Sequence, residues 1–131
     1  MFPRIFLSVA TLVLSCNSLL SAEVQLADDD TVLINAQKLH LHGIALPSAD
    51  EVCTTSAGRK WPCGRYAREQ LVKAAALDEM ACQPAERGTA ICRIGGLDIG
   101  SLLVKEGLAK AAGDYQDLED RARAAKIGIW E

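Results

Sequence analysis

Hydrophobic positions along this chain change their period as it proceeds, and each change marks an element. Ile5 to Leu14 is an apolar run with Arg4 before it and small polar residues after it. From Glu23 the pattern becomes that of strands: "EVQLA" (23–27) and "LHLHGI" (39–44) alternate, "TVLI" (31–34) is β-branched and apolar, and "NAQK" (35–38) is a turn. A period of two marks a half-buried strand. It puts Leu39 and Leu41 on one face and His40 and His42 on the other. Residues 47–64, "PSADEVCTTSAGRKWPCG", are rich in turn formers and read as a loop.

The period then becomes helical. In "RYAREQLVKAAAL" (65–77), Ala67, Leu71 and Ala75 step by four, with Val72 beside them, giving one apolar face. "EMACQ" (79–83) and "TAICRIGG" (89–96) predict two strands around the polar turn "PAER", and Gly95-Gly96 predicts a further turn. "LDIGSLLVKEGLAKA" (97–111) predicts a short helix with Ile99, Leu102 and Leu103 inward. Asp98 is its N-cap and Gly107 its stop. In "YQDLEDRARAAKIGIW" (115–130), Tyr115, Leu118, Ala122 and Ala125 step by three, four and three. Gly128 ends that helix, and Ile129 and Trp130 fold back onto the body. Strands, helix, strands, helix, helix is the order of an α+β domain.

The first apolar run sets the compartment. A basic start, a short apolar core and a small-residue exit make residues 1–22 a secretory signal, cleaved after Ala22. Roughly ten apolar residues are too few for a membrane span, which needs about 20. "VLSC" (13–16) offers a second exit, with Cys16 as the lipidated first residue of a lipoprotein, although Leu14 fits that pattern poorly. Residues 23–131 then form one domain, periplasmic or secreted.

The cysteines agree with export. Without Cys16 they are Cys53, Cys63, Cys82 and Cys92, an even number that predicts two disulfides in a small exported domain. Of the possible connectivities, spacing favours Cys53–Cys63 and Cys82–Cys92, the second pair on adjacent strands. A four-cysteine zinc site is the rival, and it lacks any Cys-x-x-Cys pair. The net charge of −3 becomes one unit more negative without the leader, which carries Arg4 and no acid. Nonspecific nucleic-acid binding runs on Lys and Arg neutralising phosphates. This balance therefore does not favour bulk nucleic acid as a partner.

Several short stretches follow one another in a telling order: "DDDT" (28–31), "HLHGIALPS" (40–48), "ERGTA" (86–90), "KEGLAKA" (105–111) and "GIW" (128–130). In that order, and in the spacing from Asp30 to Pro47, the chain resembles the staphylococcal-nuclease (thermonuclease) family over nearly all of 24–130. Members show Asp-Gly-Asp-Thr, an Arg-Leu step, Gly-Ile-Asp-x-Pro-Glu, a Gly-Arg before a strand, a Gly-Leu-Ala and a terminal Gly-x-Trp. The stretch "CTTSAGRKWPCGRYA" (53–67) resembles the small exported alphaproteobacterial branch, some members of which carry names linked to exopolysaccharide synthesis. The resemblance implies a five-stranded OB-type barrel with three α-helices. It also implies Ca2+-dependent hydrolysis of phosphodiester bonds in DNA and RNA.

That chemistry needs oxygen ligands for a hard cation, a carboxylate to activate water, and two guanidiniums for the phosphorus oxygens. Carried across residue by residue, the first metal carboxylate is Asp30, followed by Thr31. The first arginine falls on His40. The second metal carboxylate falls on Ala45, the carbonyl ligand on the backbone of Leu46, and the general base on Ser48. The second arginine falls on Arg87. One side-chain ligand and one arginine thus remain, and no base does.

Asp29 adds a carboxylate beside Asp30, and Asp28, Asp50 and Glu51 lie near enough in sequence to rebuild a cation site. His40 and His42, with Asp30, offer a transition-metal alternative. Tyr115 and Trp130 read as core residues in preference to base-stacking platforms. The leading expectation is a degenerate, weakly active or inactive domain, a monomer, acting as a binding or accessory module for an envelope protein or polysaccharide machinery. It would need no cofactor. A rearranged Ca2+-dependent nuclease is the second expectation and a periplasmic metal-binding module the third.

Overall fold

The computed structural model describes residues 24–26 and 31–131. The leader, Cys16, Asp28, Asp29 and Asp30 lie outside the described residues. Strands β1 (Val24–Leu26), β2 (Thr31–Ile34) and β3 (Gln37–Leu41) form an antiparallel meander. β3 begins earlier than the alternation predicts, because the turn holds only Asn35 and Ala36, at φ 50° and 64°. Positive φ at both central residues is the hairpin geometry that follows strand twist. Asn35 signals it in the sequence and Ala36 does not.

Strands β7 (Met80–Pro84) and β8 (Thr89–Ile94) form a second hairpin. β8 then lies parallel to β3, with His40 beside Thr89 and Leu41 beside Ala90. A parallel pair needs a long crossover, and here it contains helix α1 (Cys63–Leu77). The strand order is β1-β2-β3-β8-β7, with the short β9 (Leu97–Asp98) pairing onto β8. The mixed sheet curls into a half-barrel. Two small ladders complete the body. β4 (Ile44–Ala45) pairs with β10 (Lys110–Ala111), and β5 (Cys53–Thr54) pairs with β6 (Lys60–Trp61). The second ladder is a hairpin inside the stretch read as loop, and β10 follows the Gly107 stop, where no strand is predicted.

The core takes Val32, Leu39, Leu41, Ala90 and Cys92 from the sheet. Ala67 and Leu71 of α1 pack onto it, as do Ile99, Leu103 and Val104 of helix α2 (Ile99–Lys105). Val72, expected on the buried face of α1, is 58% exposed, and half-buried Ala74 takes its place beside Ala75. α2 starts as predicted, with the Asp98 carboxylate accepting from the Ser101 N–H at 3.2 Å. Helix α3 (Gln116–Ala125) ends on left-handed Lys126, two residues before Gly128, and Ala125 is exposed.

Gly128 has another task. A Cβ there would lie 2.1 Å from the Gly107 carbonyl oxygen. Two backbones meet at this point, and the Ile129 N–H donates to the same oxygen at 2.8 Å. The tail is thereby folded back, as the sequence suggests. Among the described residues no helix is long and apolar enough to cross a membrane.

Both expected cysteine pairs are joined, Cys53–Cys63 at a Cα separation of 5.6 Å and Cys82–Cys92 at 4.0 Å. Peptide mapping of the non-reduced protein should therefore link these pairs and no others among the described cysteines. A Cys53–Cys82 link would overturn the strand placement.

Glu119 of α3 is buried at 4% exposure, and the sequence gives no hint of it. Burial alone would raise its carboxyl pKa. The Ala111 N–H (2.5 Å) and the Arg123 guanidinium (Nε at 2.9 Å) outweigh burial and hold it below the usual carboxylate range. Arg123 in turn stacks 3.8 Å over the Trp130 ring. A depressed folded pKa contributes stability above the unfolded value of about 4.3, and that contribution is lost as pH falls through the folded value. Glu119→Gln should cost about 1–3 kcal/mol in urea denaturation at pH 7. It should also flatten the acid limb of the stability profile.

Candidate functional site

The register of the sheet sets out the first half of the site. His40 lies between Thr31 on β2 and Thr89 on β8. His40 is exposed, Thr31 is buried and Thr89 is half-buried. Arg87 sits two residues before Thr89, exposed, on the one-turn 3-10 segment Glu86–Gly88, with φ 56°. The structure therefore brings together His40 and the turn of Arg87, the two positions expected to face a phosphate. Asp30, which precedes Thr31, and Asp29 lie outside the described residues.

The second half points elsewhere. Ala45 and the half-buried Leu46 line a hollow of about 370 Å³ with Lys110 and Trp130, to which neither His40 nor Arg87 contributes. Lys110 is the register partner of Ala45 across the β4–β10 ladder. Direct partners in an antiparallel pair keep their Cβ atoms about 4.5–5.5 Å apart on one face. A cationic side chain thus starts next to the position where the family pattern has a metal carboxylate. The Lys110 ammonium lies 6.0 Å from the Trp130 ring centroid.

Ser48 begins a tight turn. Its N–H donates to Glu51 Oε2 at 3.0 Å, and the Glu51 N–H donates back to the Ser48 carbonyl at 2.9 Å. Glu51, one of the acids expected to rebuild a cation site, is engaged in this turn. Asp50 is exposed. The turn is locked from behind. Arg68 donates to the Pro47 carbonyl at 2.7 Å, and Gly64 packs so closely that a Cβ would lie 1.7 Å from the Ser48 oxygen.

His42 is the functional-looking residue whose role the sequence concealed. It stands just past β3, half-buried, with Nδ1 2.9 Å from Thr89 Oγ1 and Nε2 2.6 Å from Asp114 Oδ2. The order hydroxyl, imidazole, carboxylate invites comparison with a nucleophile triad. The hydroxyl proton rules that out, since Thr89 donates it to the Glu86 carbonyl at 2.5 Å. Both nitrogens of His42 are also engaged, which removes it from the expected histidine metal pair. Among the described residues the one cluster with metal-ligand spacing is Glu51, Cys53 and Cys63, and its two sulfurs are joined to each other.

Asp114 reaches His42 because Gly43 has no side chain. A Cβ on Gly43, at φ +72°, would stand 2.9 Å from Asp114 Cβ and 3.0 Å from the Tyr115 ring. The Ala112 N–H also donates to the Gly43 carbonyl at 2.8 Å. The Tyr115 ring lies close to Gly100 as well, and its hydroxyl donates to Asp98 Oδ2 at 2.8 Å. Burial and that hydrogen bond both push the phenol pKa far up, so Tyr115 holds its proton as a donor. Tyr115 is thus a packed structural residue, as expected, and Trp130 is covered by Arg123.

A second groove, of about 870 Å³, contains none of these residues. It is walled by Trp61, Leu71, Leu77, Ile94, Leu97 and Leu102, and Arg59 at its rim is paired with Glu131 at 3.3 Å. Nothing in it resembles a phosphodiester site. Neither models of known protein families nor curated proteins match the chain.

Gly43→Ala should destabilise the domain by about 1–3 kcal/mol, the cost of a left-handed residue plus the clash with Asp114. Chemical denaturation measures this directly. A neutral effect would mean that loop 112–115 does not close on the strand end.

Proposed function

We propose that the chain is a staphylococcal nuclease-like domain, its curled sheet completing a five-stranded OB-type barrel, in which hydrolysis has been lost or nearly lost. It is exported by its leader and serves, as a monomer, as a binding or accessory module of the cell envelope. An envelope protein or polysaccharide machinery is its class of partner.

The observation that carries this reading is the pairing of Ala45 with Lys110. Calcium affinity follows the charge of its ligands. Here one carboxylate of the pair is a methyl group, and a lysine starts beside it. The Glu51 carboxylate, turned onto the Ser48 N–H, does not restore a base. General acid–base help is worth about 10²–10⁴-fold, and one electrostatic stabiliser about 10²–10³-fold. The losses are not additive, but together they leave little activity.

A second reading is a weak Ca2+-dependent nuclease built on Asp30 and a neighbouring acid. It is favoured by the placement of the Arg87 turn beside the strand of His40. In both readings Arg87 keeps a phosphate-facing role.

The test uses the oxidised domain, residues 23–131, with single-stranded DNA and RNA and a scan of Ca2+, Mn2+ and Zn2+. No cleavage above background and no calorimetric signal for Ca2+ are expected. Cleavage abolished by Asp30→Ala would establish the nuclease reading instead. A graft tests the frame itself. His40→Arg, Ala45→Asp and Ser48→Glu, with Lys110→Ala to remove the cation opposite position 45, should together raise Ca2+-dependent cleavage by at least about 10²-fold. A folded graft that neither binds Ca2+ nor cleaves would remove the family assignment.

A further inference from the structure

We propose that His42 is the positioning residue of the Arg87 turn: through the Thr89 hydroxyl it fixes the segment that presents the guanidinium. The inference rests on the reading that Arg87 faces a phosphate-like anion.

Arg87 has a conformation that needs support. It is left-handed at φ 56° and ψ 41°, a region L-residues other than Gly, Asn and Asp seldom adopt. Glu86 and Thr89 close the turn. The Glu86 carbonyl accepts the Thr89 N–H and also the Thr89 hydroxyl, the latter at 2.5 Å. The Ala85 N–H donates to the Thr89 carbonyl at 2.8 Å.

The hydroxyl can serve the turn only in one rotamer, and threonine is stiff at χ1. With its proton on Glu86, Thr89 Oγ1 presents a lone pair to His42 Nδ1 at 2.9 Å. The imidazole is aimed from its other side by Asp114 at 2.6 Å. A relay of hydrogen bonds thus runs Asp114, His42, Thr89, Glu86 carbonyl, and ends one residue from Arg87. It joins segments 47 and 72 residues apart from His42 in sequence.

Two amides dissect the relay. Asparagine places its amide nitrogen near the Nδ1 position and glutamine near the Nε2 position. His42→Asn therefore keeps the Thr89 arm, and His42→Gln keeps only the Asp114 arm. Thr89→Ser keeps the hydroxyl, and Thr89→Val removes it at constant shape.

The probe is pyrophosphate, titrated by calorimetry and by the NMR signal of the Arg87 Nε–H. Thr89→Val and His42→Gln should weaken binding about five- to ten-fold, the worth of one hydrogen bond. Thr89→Ser and His42→Asn should stay within about two-fold of the parent. In an Arg87→Ala background neither Thr89→Val nor His42→Gln should cause a further loss, because both act through Arg87. Equal losses in His42→Asn and His42→Gln, or losses that persist without Arg87, would overturn the proposal.

If the parent binds no pyrophosphate, the phosphate-facing reading of Arg87 fails by itself. Positioning is then read from backbone 15N relaxation of Arg87 and Gly88. Order lost in Thr89→Val and His42→Gln and kept in Thr89→Ser and His42→Asn supports the relay. Unchanged order in all four overturns it.

Discussion

The parallel pairing of β3 with β8 is the constraint on which the rest of the structure depends. It seats buried Leu41 beside buried Ala90 and exposed His40 beside Thr89. A slip of one residue would carry Leu41 to the outer face and His40 into the core. The same register leaves His42 within reach of the Thr89 hydroxyl. Parallel strands cannot be joined by a tight turn, so the chain between them must cross over and be anchored on the way. Ala67 and Leu71 fix α1 to the core, and the Cys53–Cys63 bridge ties the start of α1 to the small hairpin. Gly64, at that same end of the helix, meets the Ser48 carbonyl. The site loop is thus held by the crossover that the sheet demands.

Two kinds of residue therefore share one short stretch. Gly43 admits Asp114 and the Tyr115 ring, and Pro47 is buried with its carbonyl bonded to Arg68. Packing requires these residues whatever the domain does. His40, Ala45 and Ser48 are exposed and are not among the core residues. Replacing them leaves the fold nearly untouched, because surface changes away from special features cost little. On the nuclease-like reading, a frame can persist in this way while the groups that would perform hydrolysis are replaced.

What the sequence disclosed follows from the range of the interactions involved. Local rules located the elements: β-branched apolar composition found β2, alternation found most of β3, Asp98 capped α2 as read, and the disulfide spacing was informative. Short-range failures had local causes. Ala36 carries no signal for its positive φ, and Val72 fitted a helical face that the core did not use. The long-range features left no trace in any one window. Nothing near His42 announces Asp114 or Thr89, and nothing near Ala45 announces Lys110. Glu119 looked like an ordinary exposed acid of an amphipathic helix until tertiary structure brought the Ala111 N–H to it. The candidate positions on His40 and Arg87 were legible because the family pattern supplied their spacing, whereas the surroundings that decide what they do were not.

The surroundings decide more than the missing side chains do. On the nuclease-like reading, an absent carboxylate leaves a weaker cation site, which a neighbouring acid can repair. A cation placed beside the gap changes the sign of the local field. Lys110 is held there by the β4–β10 ladder and by the Trp130 ring. Trp130 is itself pinned by Arg123, and Arg123 by Glu119. The backbone of the lysine is fixed by the ladder, and its ammonium lies 6.0 Å from the centroid of that same ring. Exposed unlike charges attract only modestly, so the influence of Lys110 rests on its fixed place opposite Ala45 in the ladder. On the nuclease-like reading, restoring a cation site at Ala45 thus asks for more than a carboxylate. An acid introduced there would start opposite Lys110 across the ladder, and a cation would meet a carboxylate with a lysine already beside it.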